Sequence, residues 1–241
     1  MSAGSIQTHQ LSFHYGSTPI LADLSFSIGA GEHVAIVGRS GAGKSTLLHL
    51  MAGLLGPSRG AISVGGAPAA SQATKPVLMF QRPALLPWLT ARDNVLLPLH
   101  FSKAARKDRT AARAKADSLI AQVGLAERAD ALPTGLSGGQ QQRIALARAL
   151  AGDPAVLLLD EPFSALDQET RAALRADIRR LAKARSMTLV TVTHDLSDAA
   201  ALADRVLVLA SSPGRIERDI VLGSNAEQEL RAQLSDQRDA A

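Results

Sequence analysis

Nine consecutive residues have the composition of a phosphate cradle: Gly38-Arg39-Ser40-Gly41-Ala42-Gly43-Lys44-Ser45-Thr46. The segment fits G-x-x-x-x-G-K-[ST], with an apolar strand predicted before it (His33 to Val37) and a helix after it (Thr46 to Leu55). Glycines let backbone N–H groups curl around phosphate oxygens without Cβ clashes. The helix directs its positive end at the same anion. Lys44 brings a point charge for the β- and γ-phosphates, and Ser45 a hydroxyl for Mg²⁺. Gly38, Ser40, Gly41, Gly43, Lys44, Ser45 and Thr46 are the candidate ligand-binding residues of this loop.

A second constellation is Val156-Leu157-Leu158-Leu159-Asp160-Glu161-Pro162. Four apolar residues form a buried strand, and two carboxylates emerge at its end, where ligands bind in α/β sheets. Asp160 is suited to hold Mg²⁺ through water, and Glu161 to polarise an attacking water as a general base. The third is Leu136-Ser137-Gly138-Gly139-Gln140, ahead of the helical run Gln141 to Leu150. Ser137 is a predicted N-cap, and the glycines expose N–H groups at a helix start. One chain thus carries two anion-binding helix ends.

With these residues the sequence resembles the ABC ATPases, whose signature is LSGGQ. The resemblance runs from Tyr15 to about Arg215 and implies further roles. Tyr15 matches the aromatic that stacks on adenine. Gln81 matches the glutamine that senses Mg²⁺ and the attacking water. Ser164-Ala165-Leu166-Asp167 matches a loop that crosses between subunits, and His194 the histidine near the γ-phosphate. In such proteins two cassettes meet head to tail, so ATP at Lys44 of one would be closed over by Ser137, Gly139 and Gln140 of the other. The resemblance implies ATP and Mg²⁺ as cofactors, a homodimer, an integral membrane permease as partner, and a periplasmic substrate-binding protein as an indirect one. It implies a peripheral position on the cytoplasmic face of the inner membrane.

Phe80-Gln81-Arg82-Pro83-Ala84-Leu85-Leu86-Pro87-Trp88-Leu89-Thr90 and Pro213-Gly214-Arg215-Ile216 resemble the ATPases of nitrate, sulfonate and taurine importers. Ser212 departs from the Arg common there. The implied function is the ATP-hydrolysing motor of an importer for that class. Alternatives are a separate exporter ATPase and a non-transport ABC ATPase. The repair and chromosome-structure ATPases place long coiled coils between the Gln81 and Ser137 motifs, and only a short helical stretch lies there. The surface around Arg82 to Asn94 is the expected permease dock, with the chain's only Trp, Trp88, as anchor; the competing expectation is that Trp88 packs into its own helices.

The elements that must position these residues are a mixture of strands and helices. Short apolar strands are expected at Ala61 to Val64, Val77 to Phe80, Val156 to Asp160, Leu189 to Thr193 and Arg205 to Leu209, with an edge strand at Ile6 to Tyr15 and a half-buried strand around Leu24, Phe26 and Ile28. Between Asn94 and Gly152 the chain is rich in Ala, Arg, Lys and Gln and is read as helices. The expected fold is α/β: a P-loop NTPase core, with a mostly parallel sheet plus an antiparallel N-terminal sheet, and an inserted helical subdomain. The expected organisation is one ABC ATPase domain over residues 1–241, with the core about 1–87 and 151–241 and the helical subdomain about 88–150.

Composition narrows the rest. With 46% hydrophobic residues the chain can bury a sizeable core, and with 3% aromatics that core must be aliphatic. The absence of cysteine excludes disulfides and thiolate metal sites. No signal peptide is read in the first ten residues, and no apolar stretch approaches the ~20 residues of a membrane helix. Lys103, Arg106, Lys107, Arg109, Arg113 and Lys115 form a basic run without the interleaved aromatics of a nucleic-acid surface, so it is read as a solvated helix face and no nucleic-acid partner is expected. His9, His14, His33, His49 and His100 lack metal-ligand spacing and are read as structural.

Overall fold

The computed structural model describes residues 4–71, 76–101, 108–210, 213–223 and 225–235. Its strands are β1 Ile6–Tyr15, β2 Thr18–Ile28, β3 His33–Gly38, β4 Arg59–Val64, β5 Ala67–Pro68, β6 Val77–Met79, β7 Val156–Asp160, β8 Thr188–Thr193, β9 Arg205–Ala210 and β10 Arg215–Val221. Its helices are α1 Lys44–Met51, α2 Ala91–His100, α3 Arg109–Gln122, α4 Gly138–Leu150, α5 Gln168–Ala184, α6 Leu196–Leu202 and α7 Ala226–Ser235. Ser212 and the basic residues Lys103, Arg106 and Lys107 lie outside the described residues.

The chain forms two compact units. The first comprises Met1–Leu78, Ala155–Glu161 and Arg179–Ala241. A six-stranded sheet in the order β10-β9-β3-β8-β7-β6 and a four-stranded sheet in the order β2-β1-β4-β5 make up its strands. β3 pairs in parallel with β8 and β9, and β7 with β8. Sequence explains that placement: HVAIVG, VLLLD and TLVTVT are rich in apolar residues and, apart from Gly38 and Asp160 at their ends, are buried on both faces, as interior parallel strands must be. Their core includes Ile36, Leu158, Val190 and Leu207, packed with Leu47, Leu48 and Met51 of α1.

Three details differ from the sequence expectations. β1 is not an edge strand: Ile6 stands opposite Ile28 of β2 on one side and Val64 of β4 on the other. Its alternating polar residues reflect one solvated face, which an interior antiparallel strand also has. α1 starts two residues earlier than expected, at Lys44, because Gly43 takes the helix N-cap in the left-handed region (φ 90°). It ends at Met51, ahead of Gly56-Pro57; just beyond, a Cβ on Gly53 would lie 2.5 Å from the Ala69 carbonyl oxygen. β10, antiparallel to β9, was not anticipated as a strand; its RIERDIV sequence is mostly exposed and lacks an apolar run.

The second unit comprises Met79–Pro154 and Pro162–Ile178. Each helix of its first segment begins on a polar cap: Thr90 accepts from the Asp93 N–H, Asp108 from that of Ala111, and Ser137 from that of Gln140. Val95, Leu99, Ala116, Leu119, Ile120 and Ile144 form its buried interior. Arg92 joins α2 to α3 through Asp117 (2.5 Å) and also pairs with Asp130. Asn94, fully buried, ties down the loop before α2: its Oδ1 accepts from the Leu86 N–H (2.8 Å) and its Nδ2 donates to the carbonyls of Leu86, Leu89 and Thr90. Trp88 on that loop is 71% exposed, so it does not pack into its own helices.

Candidate functional site

The first unit gathers a cationic loop and two carboxylates at the C-terminal ends of its parallel strands. Gly38 closes β3 where a Cβ would come within 2.4 Å of the Leu209 carbonyl oxygen, so no larger residue fits there. Gly41 and Gly43 both have positive φ (79° and 90°), which winds the loop back onto the start of α1. Lys44 is 6% exposed and folds into the loop, where Nζ donates to the carbonyls of Gly38 (2.8 Å) and Arg39 (3.0 Å). Burial pushes its ammonium down from the ordinary lysine value, and the nearby Glu161 and Asp160 partly restore it. Ser40 and Ser45 are exposed, and Thr46 is half-buried.

Ser45 Oγ donates to Asp160 Oδ1 over 3.0 Å, which joins α1 to the end of β7. Burial raises the Asp160 carboxyl above the usual carboxylate range; the Ser45 hydrogen bond and the charges of His49 and Lys44 oppose this, while that of Glu161 adds to it. Glu161 follows in the left-handed region (φ 44°), a strained conformation for a non-glycine residue. Its N–H donates to the Val192 carbonyl (3.0 Å), and its Oε1 lies 3.2 Å from His194 Nδ1 at the end of β8. Tyr15, 51% exposed at the end of β1, meets the buried Phe13 edge to face at 4.8 Å, which leaves ring surface open to solvent.

These residues fit a magnesium nucleotide. The loop needs its glycines: a Cβ at Gly38 would clash with the Leu209 carbonyl oxygen and one at Gly43 with the Leu21 side chain, while Gly41 faces open space. Ser45 and Asp160 bring a hydroxyl and a carboxylate oxygen together, the hard donors that Mg²⁺ takes alongside phosphate oxygens and water. Among the described residues no group of three or more His, Cys, Asp and Glu could hold a metal by itself.

The second unit holds the remaining candidates. Gln81 Nε2 donates to Ser164 Oγ (2.9 Å), so the glutamine after β6 is tied to the Ser164–Asp167 segment. Asp167 caps α5 by accepting from the Thr170 N–H, which holds its carboxyl below the usual range. Ser137 and Gln140 form a reciprocal capping box at the start of α4: Ser137 Oγ accepts from the Gln140 N–H (3.3 Å), and Gln140 Oε1 from the Ser137 N–H (3.0 Å). The two glycines between them differ. Gly139 is buried, and a Cβ there would lie 2.3 Å from Thr170 Cγ2; around Gly138, which is exposed, a Cβ would meet nothing within 4 Å.

Sequence reasoning passed over three residues. His49 lies one turn after Ser45 on α1 and acts on the charge of Asp160; the four-residue spacing was its only signal. Gln142 and Arg148 of α4 hold the backbone of the Gln81 segment. Their partners are 61 to 65 positions away, and no local pattern announces them.

The family profile described as "ABC transporter" matches residues 21–164. The chain belongs to the ABC transporter family. The cassette is 47% identical to the aliphatic sulfonates import ATP-binding protein SsuB of Pectobacterium atrosepticum, over 87% of this chain and 74% of that protein. It is 49% identical to an SsuB of Pseudomonas aeruginosa, over 81% of this chain and 68% of that one. Its structure superposes on a dimeric ATP-binding cassette in a post-hydrolysis state bound to ADP and Pi, with TM-score 0.78 and 32% identity, covering 91% of this chain and 99% of that one. The cassette therefore has the P-loop NTPase fold, is an ATPase, and takes ATP with Mg²⁺. No helix among the described residues is long and apolar enough to cross a membrane.

Proposed function

We propose that the cassette is the ATP-hydrolysing motor of an importer, drives a separate membrane permease, and serves a substrate of the sulfonate, nitrate and taurine class. The observation that carries the reading is one cluster of groups: buried Lys44 in its glycine loop, Ser45 on Asp160, and Glu161 beside His194. The names of its relatives, aliphatic sulfonate import proteins, support the direction and the substrate class. A permease partner, a periplasmic binding protein upstream of it, and a peripheral position on the cytoplasmic face of the inner membrane belong to the same reading. So does one ABC ATPase domain, divided into a core and a helical subdomain.

In this proposal Gly38, Ser40, Gly41, Gly43 and Thr46 line the phosphate cradle, and Tyr15 offers its open face to the adenine. Lys44 exchanges its carbonyl partners for the β- and γ-phosphates. Ser45 and Asp160, with Gln81, would hold Mg²⁺, which would supply positive charge to neutralise the phosphates. Glu161 takes a proton from the attacking water, and His194 orients the carboxylate and meets the γ-phosphate. Ser137, Gly139 and Gln140 belong to the face that closes over ATP held by a second cassette. A site completed in this way stays inactive until two cassettes meet, so hydrolysis follows closure.

The test is Glu161→Gln. Its Mg-ATP affinity should stay within about threefold of wild type while turnover falls by at least about 10², measured by fluorescent-nucleotide titration and phosphate release. Wild-type turnover in the variant would overturn the general-base assignment. For the substrate class, a strain lacking the gene should lose growth on an aliphatic sulfonate as sole sulfur source and keep growth on sulfate. Undiminished growth on the sulfonate would remove that class.

A further inference from the structure

The backbone that leaves Gln81 is held by side chains of α4, the helix whose first turn is Gly138–Gly139–Gln140. Gln142 Nε2 donates to the Gln81 carbonyl over 2.8 Å. Arg148, farther along the helix, spreads its guanidinium onto two successive carbonyls: Nη2 to Pro83 and Nη1 to Ala84, both at 2.7 Å. One helix therefore captures three of the four carbonyls from Gln81 to Ala84.

Both donors are costly to keep. Gln142 is 3% exposed and its Oε1 has no partner among the described residues, while the other half of the amide makes its bond to Gln81. Arg148 has no carboxylate partner among the described residues, and burial pushes its guanidinium below the ordinary arginine value. The planar guanidinium presents its donors as a fixed fork, which suits two successive carbonyls. The captured loop is itself strained, for Ala84 sits at φ 46°. On its other side the segment is anchored by the Gln81 side chain on Ser164. α4 is in turn fastened to α5: Gly139 packs against Thr170, and Arg143 pairs with Asp177 (3.1 Å). α4 and the Gln81 backbone are thus joined by side-chain hydrogen bonds at several points.

We propose that Arg148, assisted by Gln142, is a positioning residue that clamps the Gln81 segment to the Ser137–Gln140 helix, so that docking of that helix end on a second cassette's nucleotide fixes where Gln81 stands. The proposal rests on the motor reading above. It makes the signature helix and the Gln81 segment one mechanical body. Arg148 acts through the backbone of residues 83 and 84.

The test uses the full-length chain and three variants: Arg148→Met, which keeps the stem and removes both donors; Arg148→Lys, which keeps the charge but cannot fork onto two carbonyls; and Arg148→Met combined with Gln81→Ala. Hydrogen exchange is followed by mass spectrometry without nucleotide, and turnover is measured against ATP concentration. Arg148→Met should raise exchange in peptides covering residues 80–89 by about tenfold while peptides of β3 and α1 stay at wild-type rates. Its kcat should fall by about 10 to 10², with KM for ATP within about threefold, and Arg148→Lys should lie between. In the Gln81→Ala background the same substitution should change kcat by less than about twofold, since the group it positions is gone. Wild-type exchange at residues 80–89 would overturn the clamp, as would a uniform rise that includes β3 and α1, which marks a general folding role. Additive losses with Gln81→Ala would overturn the positioning role. If wild type itself fails to hydrolyse ATP, the motor reading falls, and the exchange pattern still decides the clamp.

Discussion

Asp160 sits where function and stability oppose each other. Burial is the largest influence on its carboxyl and raises it above the ordinary range. A carboxyl raised in the folded state contributes stability that is fully present below the unfolded value, about pH 3.9, and lost as pH rises through the folded value. At neutral pH the nucleotide-free cassette therefore holds a carboxylate that its surroundings disfavour. Asp160→Asn should raise the melting temperature of the nucleotide-free protein at neutral pH by about 2–4 °C, the scale of about 1 kcal/mol for a chain of this size. The gain should shrink as the pH approaches about 4. The extra stabilisation of wild type by Mg-ATP should be largely lost in the variant, as expected for removal of a metal ligand. Thermal melts from about pH 4 to 8, with and without Mg-ATP, measure both effects. An Asn variant less stable than wild type at neutral pH would mean that the Ser45 hydrogen bond outweighs burial.

At the scale of elements, the start of α4 separates two glycines that look equivalent in sequence. Gly139 is a packing residue: a Cβ would drive into Thr170 Cγ2 of α5 at 2.3 Å. Gly139→Ala should cost about 1–3 kcal/mol, the range for overpacking. Thr170→Ser removes the clashing methyl, and the next nearest atom, Thr170 Cβ, is at 3.6 Å, so the double variant should recover most of the loss. Gly138 has open space and no positive φ, so nothing within the chain demands glycine there. Gly138→Ala should leave the melting temperature within about 1 °C, a few tenths of a kcal/mol, yet lower ATP turnover, because in the proposed two-cassette site its Cβ would stand where the second cassette's phosphate approaches the helix N–H groups. Denaturant titration and phosphate release on the four variants test the pair. Full turnover in Gly138→Ala would place the intersubunit contact elsewhere.

At the scale of the whole molecule, the two anion-binding helix ends belong to different compact units, α1 to the first and α4 to the second. The proposed assembly uses one of each per site. Ser137→Arg should bind ATP normally, since the loop around Lys44 is untouched, and hydrolyse poorly. Mixed with Lys44→Ala it should regain up to about half of wild-type turnover, provided that one intact composite site works alone. Absence of any regain, with both variants folded, would count against sites built from two chains. Trp88 belongs to this scale too. A 71% exposed Trp on a loop held by the buried Asn94 leaves its ring free to meet a partner. Trp88→Ala should weaken capture by the permease by about 2 kcal/mol or more and leave ATP affinity unchanged. Normal co-purification of the variant with its permease would remove that role.

What the sequence determined by itself was local. The apolar-rich runs of β3, β7 and β8 and the glycine spacing before Lys44 need only neighbouring residues to be read. The capping box of Ser137 and Gln140 closes within four positions and is legible for the same reason. The tertiary structure decided everything that depends on distant partners. Only strand pairing puts β1 between β2 and β4, because alternation records a solvated face and not a neighbour count. Only the packing of α5 on α4 distinguishes Gly139 from Gly138, and only the α4 geometry recruits Gln142 and Arg148 to a backbone more than sixty positions away. Such contacts have no period along the chain. They exist because the fold brings a donor on one helix to carbonyls of a distant segment, and that pairing is settled in space.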